Sequence, residues 1–258
     1  MLTGPRQSES VRLPLPAAGA LQAYVSFADP GSDRAVVYVH GFGSTRGGVK
    51  AEALEQACAR RGWTFASFDF RGHGESTGTL LELRGSALLE DVEALRDYLI
   101  GRGIRRLFLV GSSMGGWAAA WFTVHHTQSV LACTLIAPAF DFLHSRYALL
   151  TEEERARWKQ TGRLRVQNQY VDVELGYGLV EELDQFPAER LAAGLQRPVL
   201  ILHGMKDDVV PYTGSLAFLE WAAYPEMELR LYKDGDHRLL AYREEMAEAA
   251  GHFFARYA

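Results

Sequence analysis

Apolar residues along this chain follow two rhythms that take turns. Short runs that are nearly all apolar alternate with longer stretches whose apolar positions recur every three or four residues. The run AVVYVHG, from Ala35, is almost continuously apolar, as a strand buried on both faces must be. Leu21–Phe27, Thr64–Phe68, Leu107–Val110, Val130–Ala137, Pro198–Leu202 and Glu228–Tyr232 read as further strands, Val130–Ala137 being closed by Pro138. Between them, residues 49–61 bring Ala51, Leu54, Ala57 and Cys58 onto one helical face. Residues 86–100 do the same for Leu88, Val92, Leu95 and Leu99. Residues 114–125, 212–223 and 239–257 read as helices as well. Strands alternating with helices predict an α/β fold, with a mostly parallel, doubly wound sheet covered on both faces.

The rhythm lapses from 140 to 186. TEEERARWKQ reads as an exposed helix, and RLRVQNQYVDVEL alternates polar and apolar as a β-hairpin or an irregular arm would. The expectation is one domain, 1–258, with an inserted cap at 140–186, because a long insertion between core elements is more often a functional lid than a linker.

Composition narrows the picture. A chain of 258 residues buries a large core without staples. A net charge of −5 argues against nucleic acid as a partner. Cys58 and Cys133 lie in apolar stretches and read as buried thiols, too few for a disulfide framework or a zinc site. The segment MLTGPRQSES lacks the apolar core of a signal peptide, and no run has the 18 or so apolar residues of a membrane span, so a cytoplasmic location is expected. The sequence carries no signal of an oligomeric state.

The chemistry concentrates at three turns. Gly111-Ser112-Ser113-Met114-Gly115 fits Gly-x-Ser-x-Gly, with a strand before it and a helix after it, which is the context the motif needs. Ser113 would stand on a sharp turn above a helix N-terminus, where the helix dipole favours negative charge. Ser112 lacks the flanking glycines and is the poorer nucleophile. A serine needs a base, and the base an orienting acid. Asp207-Asp208 follows a buried strand, and His237 follows the last strand, in the order Ser, Asp, His. Both would emerge at the sheet edge where sites of open α/β sheets form.

At these residues the chain resembles the α/β-hydrolases. His40-Gly41-Phe42-Gly43 resembles their oxyanion loop, Asp69-Phe70-Arg71-Gly72-His73-Gly74-Glu75-Ser76 their D-x-R-G-x-G-x-S turn, and His203-Gly204 through Val210-Pro211 their acid loop. In that pattern the acid falls on Asp207. Gly111 through Trp117, His203 through Asp208 and Asp236-His237-Arg238 are similar to the palmitoyl-protein thioesterase and acyl-glucuronide esterase branch known from mitochondria.

The resemblance implies acyl transfer through Ser113, His237 and Asp207, on carboxylic esters or acyl-thioesters. Backbone amides of Phe42 and Met114 would hold the oxyanion, and no metal or organic cofactor is required. Trp117, Phe140, Phe142, Trp158 and Tyr177, with Phe42, are candidates for an apolar acyl pocket suited to medium or long chains. An aminopeptidase or amidase on the same triad would need an acidic site for a substrate amine, for which Glu152–Glu154 and Glu181–Glu182 are candidates. Carbon–carbon hydrolysis and a binding protein that keeps the fold are further alternatives. Ser113 argues against dehalogenases and epoxide hydrolases, whose nucleophile is Asp. His40 and His203 are expected to brace their loops, and Asp69 to hold its turn.

Overall fold

The computed structural model describes residues 7–16, 19–28, 32–167 and 172–258. Its centre is an eight-stranded sheet. In chain order the strands are β1 (Ser8–Leu15), β2 (Gly19–Ser26), β3 (Arg34–Val39), β4 (Thr64–Phe68), β5 (Arg106–Ser112) and β6 (Val130–Ile136). β9 (Val199–Gly204) and β10 (Met227–Tyr232) complete it, after a separate antiparallel hairpin of β7 (Arg163–Gln167) and β8 (Asp172–Gly176). Across the sheet the order is β1-β2-β4-β3-β5-β6-β9-β10. The β1–β2 and β2–β4 pairs are antiparallel, and the six strands from β4 to β10 run parallel.

The parallel strands are the apolar runs of the sequence. All six residues of β9 and all five of β4 are buried, as helices on both faces require. One layer holds α1 (Val49–Arg60) and α9 (Arg243–Ala255), packed on Val36, Phe108, Val110 and Leu202. The other holds α2 (Gly85–Gly101) and α3 (Met114–His125), packed on Val37, Leu109 and Leu135. Among the described residues, no helix is long and apolar enough to cross a membrane. Both cysteines are buried thiols outside any disulfide among the described residues, and burial pushes the Cys133 thiol up to about 12.

Between β6 and β9 the chain forms α4 (Phe142–Ala148), α5 (Glu152–Thr161), the hairpin, α6 (Gly178–Glu181) and α7 (Ala188–Gly194). The α5 helix opens on a capping box, Thr151 with Glu154, and closes on Gly162 at φ 71°. The end of α6 is stitched to the start of α2: Ser86 donates from its amide (2.8 Å) and hydroxyl (2.6 Å) to Glu182, and Arg84 pairs with Glu181 at 2.9 Å. The helix after β9 is α8 (Thr213–Trp221), shorter than the sequence suggests. The last helix starts at Arg243 rather than 239, because Leu239 sits at φ 52° and a single 3₁₀ turn, Leu240–Tyr242, intervenes.

Candidate active site

Ser113 links β5 to α3 with φ 55° and ψ −118°, a region that side-chain-bearing residues avoid. Its surroundings hold it there. The Ser113 amide donates to Ile136 O at 2.9 Å, and its carbonyl accepts from the amides of Gly116 (2.9 Å), Trp117 (3.2 Å) and Ala139 (3.3 Å). Strand and helix also meet without room for a side chain. A Cβ on Gly115 would lie 2.2 Å from Val39 O and 2.4 Å from His40 O.

The structure brings the three residues singled out for acyl transfer into one series. Ser113 Oγ lies 3.1 Å from His237 Nε2, and His237 Nδ1 lies 2.7 Å from Asp207 Oδ2. A carboxylate accepts, so Nδ1 carries the proton, leaving Nε2 free to accept from the serine hydroxyl. The loops carrying acid and base are tied together, with Met205 N donating to Tyr232 O at 2.9 Å and Lys206 N to Gly235 O at 2.8 Å.

Asp207 is buried and its other oxygen is equally engaged: Oδ1 accepts the amides of Val209 (2.9 Å) and Val210 (2.7 Å). Burial by itself would raise this carboxyl. Hydrogen bonds from His203, His237 and Val210 outweigh it and hold the group well below the usual carboxylate range. Asp208 is exposed. Of the acidic pair left open by the residues alone, it is Asp207 that meets His237.

The loop after β3 runs against the nucleophile turn. A Cβ on Gly41 would stand 3.0 Å from Ser112 O and 3.2 Å from Ser113 Cβ, so Phe42 follows directly beside the serine. His40 anchors the start of this loop. Its Nδ1 faces Gly41 O at 2.8 Å and its Nε2 accepts the Phe70 amide at 3.0 Å. Burial, then the neighbouring His73, pushes His40 down to about 4. Asp69, fully buried, anchors the middle, taking Arg46 N at 2.6 Å, the Arg46 guanidinium, and Glu75 N at 3.0 Å. Met114, on the other side, is the first residue of α3, whose leading amides have no acceptor within the helix.

The candidate pocket residues divide. Phe42 meets Phe142, and Phe142 meets Trp117, each pair at 6.4 Å between ring centres. This apolar chain joins the loop after β3, the inserted segment and α3. Phe140 instead stacks on Phe218 of α8 at 3.7 Å. Trp158, 1% exposed, packs with Tyr177 (5.8 Å) and Tyr147 (6.5 Å) inside the insertion. Sequence reasoning passed over Lys50, whose Nζ donates to Ser112 Oγ at 2.8 Å, and Arg46. Both bonds join residues far apart in sequence, so local periodicity shows only two charges on a loop and a helix.

Known proteins share this build. A family model described as serine aminopeptidase, S33, matches residues 30–169. The mitochondrial palmitoyl-protein thioesterase ABHD10 of Mus musculus is 30% identical over 212 residues, covering 81% of this chain and 70% of the relative. Among solved structures, alpha/beta hydrolase domain-containing protein 10 from mouse superimposes with a TM-score of 0.84 at 25% identity, over 97% of this chain and all of that one (100%). A protein of Agrobacterium vitis S4 superimposes with a TM-score of 0.85 at 28% identity, over 96% and 99%. With a family match across the nucleophile turn and whole-length likeness around it, the chain belongs to the α/β-hydrolase family.

Proposed function

We propose that this hydrolase cleaves carboxylic esters or acyl-thioesters through an acyl-enzyme on Ser113. The observation that carries the reading is the unbroken series from Ser113 Oγ through His237 to Asp207, at 3.1 Å and 2.7 Å. His237 Nε2 takes the hydroxyl proton as Oγ bonds to the acyl carbon. The imidazolium then gives that proton to the leaving oxygen or sulfur as its bond to carbon breaks. Water repeats the sequence on the acyl-enzyme, releasing the acid and restoring Ser113. Asp207 fixes the tautomer and stabilises the charged ring. Backbone amides of Phe42 and Met114 hold the oxyanion, each such donor being worth about 3–4 kcal/mol in the barrier.

The thioesterase relative supports the thioester half of the reading. Three of the five acids that could hold a substrate amine are otherwise engaged, Glu154 in the α5 capping box, Glu181 with Arg84 and Glu182 with Ser86, and Glu152 and Glu153 stand exposed on α5. That favours esters and thioesters over peptides. The acyl chain would lie along Phe42, Phe142 and Trp117.

The test is hydrolysis of p-nitrophenyl esters from acetyl to palmitoyl, beside the matching acyl-thioesters, with Ser113→Ala as control. Activity that vanishes in the mutant supports the triad. A folded wild type that neither hydrolyses these substrates nor reacts with a fluorophosphonate at Ser113 refutes it.

A further inference from the structure

Lys50 is placed where a lysine is costly. It sits in the first turn of α1, at the positive end of that helix, after a Gly48 that supplies no side-chain cap. Burial, then the charge of Arg238, pushes its ammonium down to about 8, against a pull upward from Asp236. Arg238 and Asp236 flank His237, so Lys50 is close enough to feel the charges of the loop that carries His237. Its single hydrogen bond among the described residues is the one to Ser112 Oγ, at 2.8 Å.

Ser112 is the last residue of β5, 4% exposed, and adjoins the nucleophile. The loop from Gly41 to Gly48 leaves β3 against the Ser112–Ser113 turn, because Gly41 nearly touches Ser112 O and Ser113 Cβ. The same loop ends at α1, where Lys50 reaches back to Ser112. One end of the segment carrying the Phe42 amide thus packs against the Ser112–Ser113 turn, and the other is bonded to it. The middle is fastened separately, by Arg46 to Asp69.

We infer that Lys50 is a positioning residue that clamps the oxyanion loop onto the nucleophile turn through the Ser112 hydroxyl, keeping the Phe42 amide in register with Ser113 Oγ. The inference rests on the serine-hydrolase reading above. A donor that binds the oxyanion only as it forms is sensitive to small displacement, so a slack loop lowers kcat and leaves KM nearly unchanged.

The experiment measures kcat and KM on a p-nitrophenyl ester, with the rate of fluorophosphonate labelling, for wild type, Lys50→Met, Lys50→Arg, Ser112→Ala and the Lys50→Met/Ser112→Ala double variant. Lys50→Met and Ser112→Ala should each lower kcat and labelling by about 10- to 100-fold, with KM within about twofold. The double variant should be no worse than Lys50→Met alone, and Lys50→Arg should recover most of the loss. Should Lys50→Met fail to fold, Ser112→Ala tests the same bond. Wild-type kcat in Lys50→Met or Ser112→Ala, or multiplied losses in the double variant, overturns the clamp while the triad stands. A wild type without turnover or labelling overturns the serine-hydrolase reading and the clamp with it.

Discussion

His203 Nε2 stands 3.1 Å from Asp207 Oδ2, the oxygen that His237 also engages. The same Nε2 lies 2.9 Å from Val210 O, so both its neighbours accept and it must carry the proton. Nδ1 is then the acceptor for Ser215 Oγ, at 2.8 Å. Asp207 is thereby held by His203 independently of His237, the base it would orient in the proposed reaction. Four groups donate to one carboxylate: two imidazoles and the amides of Val209 and Val210.

Replacing Asp207 by Asn sets an amide N–H against groups that already donate, and frees His237 to adopt the wrong tautomer. Asp207→Asn should lower kcat by roughly 10⁴. Asp208→Asn, at an exposed position, should change it less than about threefold. Steady-state kinetics on one ester decide the matter; the reverse order would move the acid to Asp208.

Groups that act as a unit lose their function together. Ser113→Ala and His237→Ala should each abolish nearly all hydrolysis, and the double variant should be about as inactive as either single one. Multiplied losses would break the unit.

Gly115 is held by a contact rather than by its own conformation. The added methyl of Gly115→Ala would meet two backbone carbonyls, Val39 O and His40 O, which cannot rotate away. The cost should be about 3 kcal/mol or more, a fall in Tm of roughly 6–12 °C for a chain this size. Calorimetry checks it, and activity should drop in step because β3 carries the oxyanion loop.

His40 makes stability depend on pH. Its folded value of about 4 lies below the ordinary histidine value of 6.5, so between those limits the unfolded chain binds more protons than the folded one. Stability should therefore be full above about pH 6.5 and decline as pH falls toward 4, by on the order of 3 kcal/mol from this residue. Urea unfolding across that range, compared with His40→Asn, measures it. An equal acid loss in the variant would assign the slope to other groups.

Two phenylalanines should separate packing from substrate contact. Phe140→Ala removes a ring that is 6% exposed and stacked on Phe218, and should cost about 3–5 kcal/mol of stability while leaving kcat/KM of the folded protein nearly unchanged. Phe142, half-buried between Phe42 and Trp117, should behave oppositely. Phe142→Ala should lower kcat/KM for long-chain esters by about tenfold, or about 1.4 kcal/mol, with acetyl ester little affected. A uniform loss over all chain lengths would remove Phe142 from the acyl path.

The parallel strands were legible because burial on both faces leaves a run such as AVVYV, and the nucleophile turn because its glycines answer to a backbone contact. β1 was not legible: in SESVRLPL only Leu13 is buried, and Pro14 is tolerated there because the strand is at the sheet edge. The short helices α4, α6 and α7 were missed for want of length. Leu239 interrupts an otherwise helical pattern through a left-handed φ that its side chain does not announce. In the site, the series Ser113, Asp207, His237 rested on motifs. Lys50 and Arg46 stayed hidden, since a charge on a helix start looks alike whether it faces water or the Ser112 hydroxyl. Trp158 and Phe140 show the converse, aromatic residues whose contacts are packing.

The site is also a vernier for the sheet. Ser113 follows β5, Asp207 follows β9 and His237 follows β10, and in the order β5-β6-β9-β10 the proposed nucleophile and base are separated by three strand pairings. A slip of one residue in any of them would carry one side past the other by about 3.3 Å, the rise of a single parallel-strand residue. That exceeds the whole tolerance of the Ser113–His237 hydrogen bond. Turnover thus reads out strand alignment across half the molecule: a chain that has collapsed, regained its helices and buried its core, yet mispaired β6 with β9, would be inert. Recovery of activity after refolding therefore counts correctly threaded molecules, where spectroscopic recovery counts compact ones.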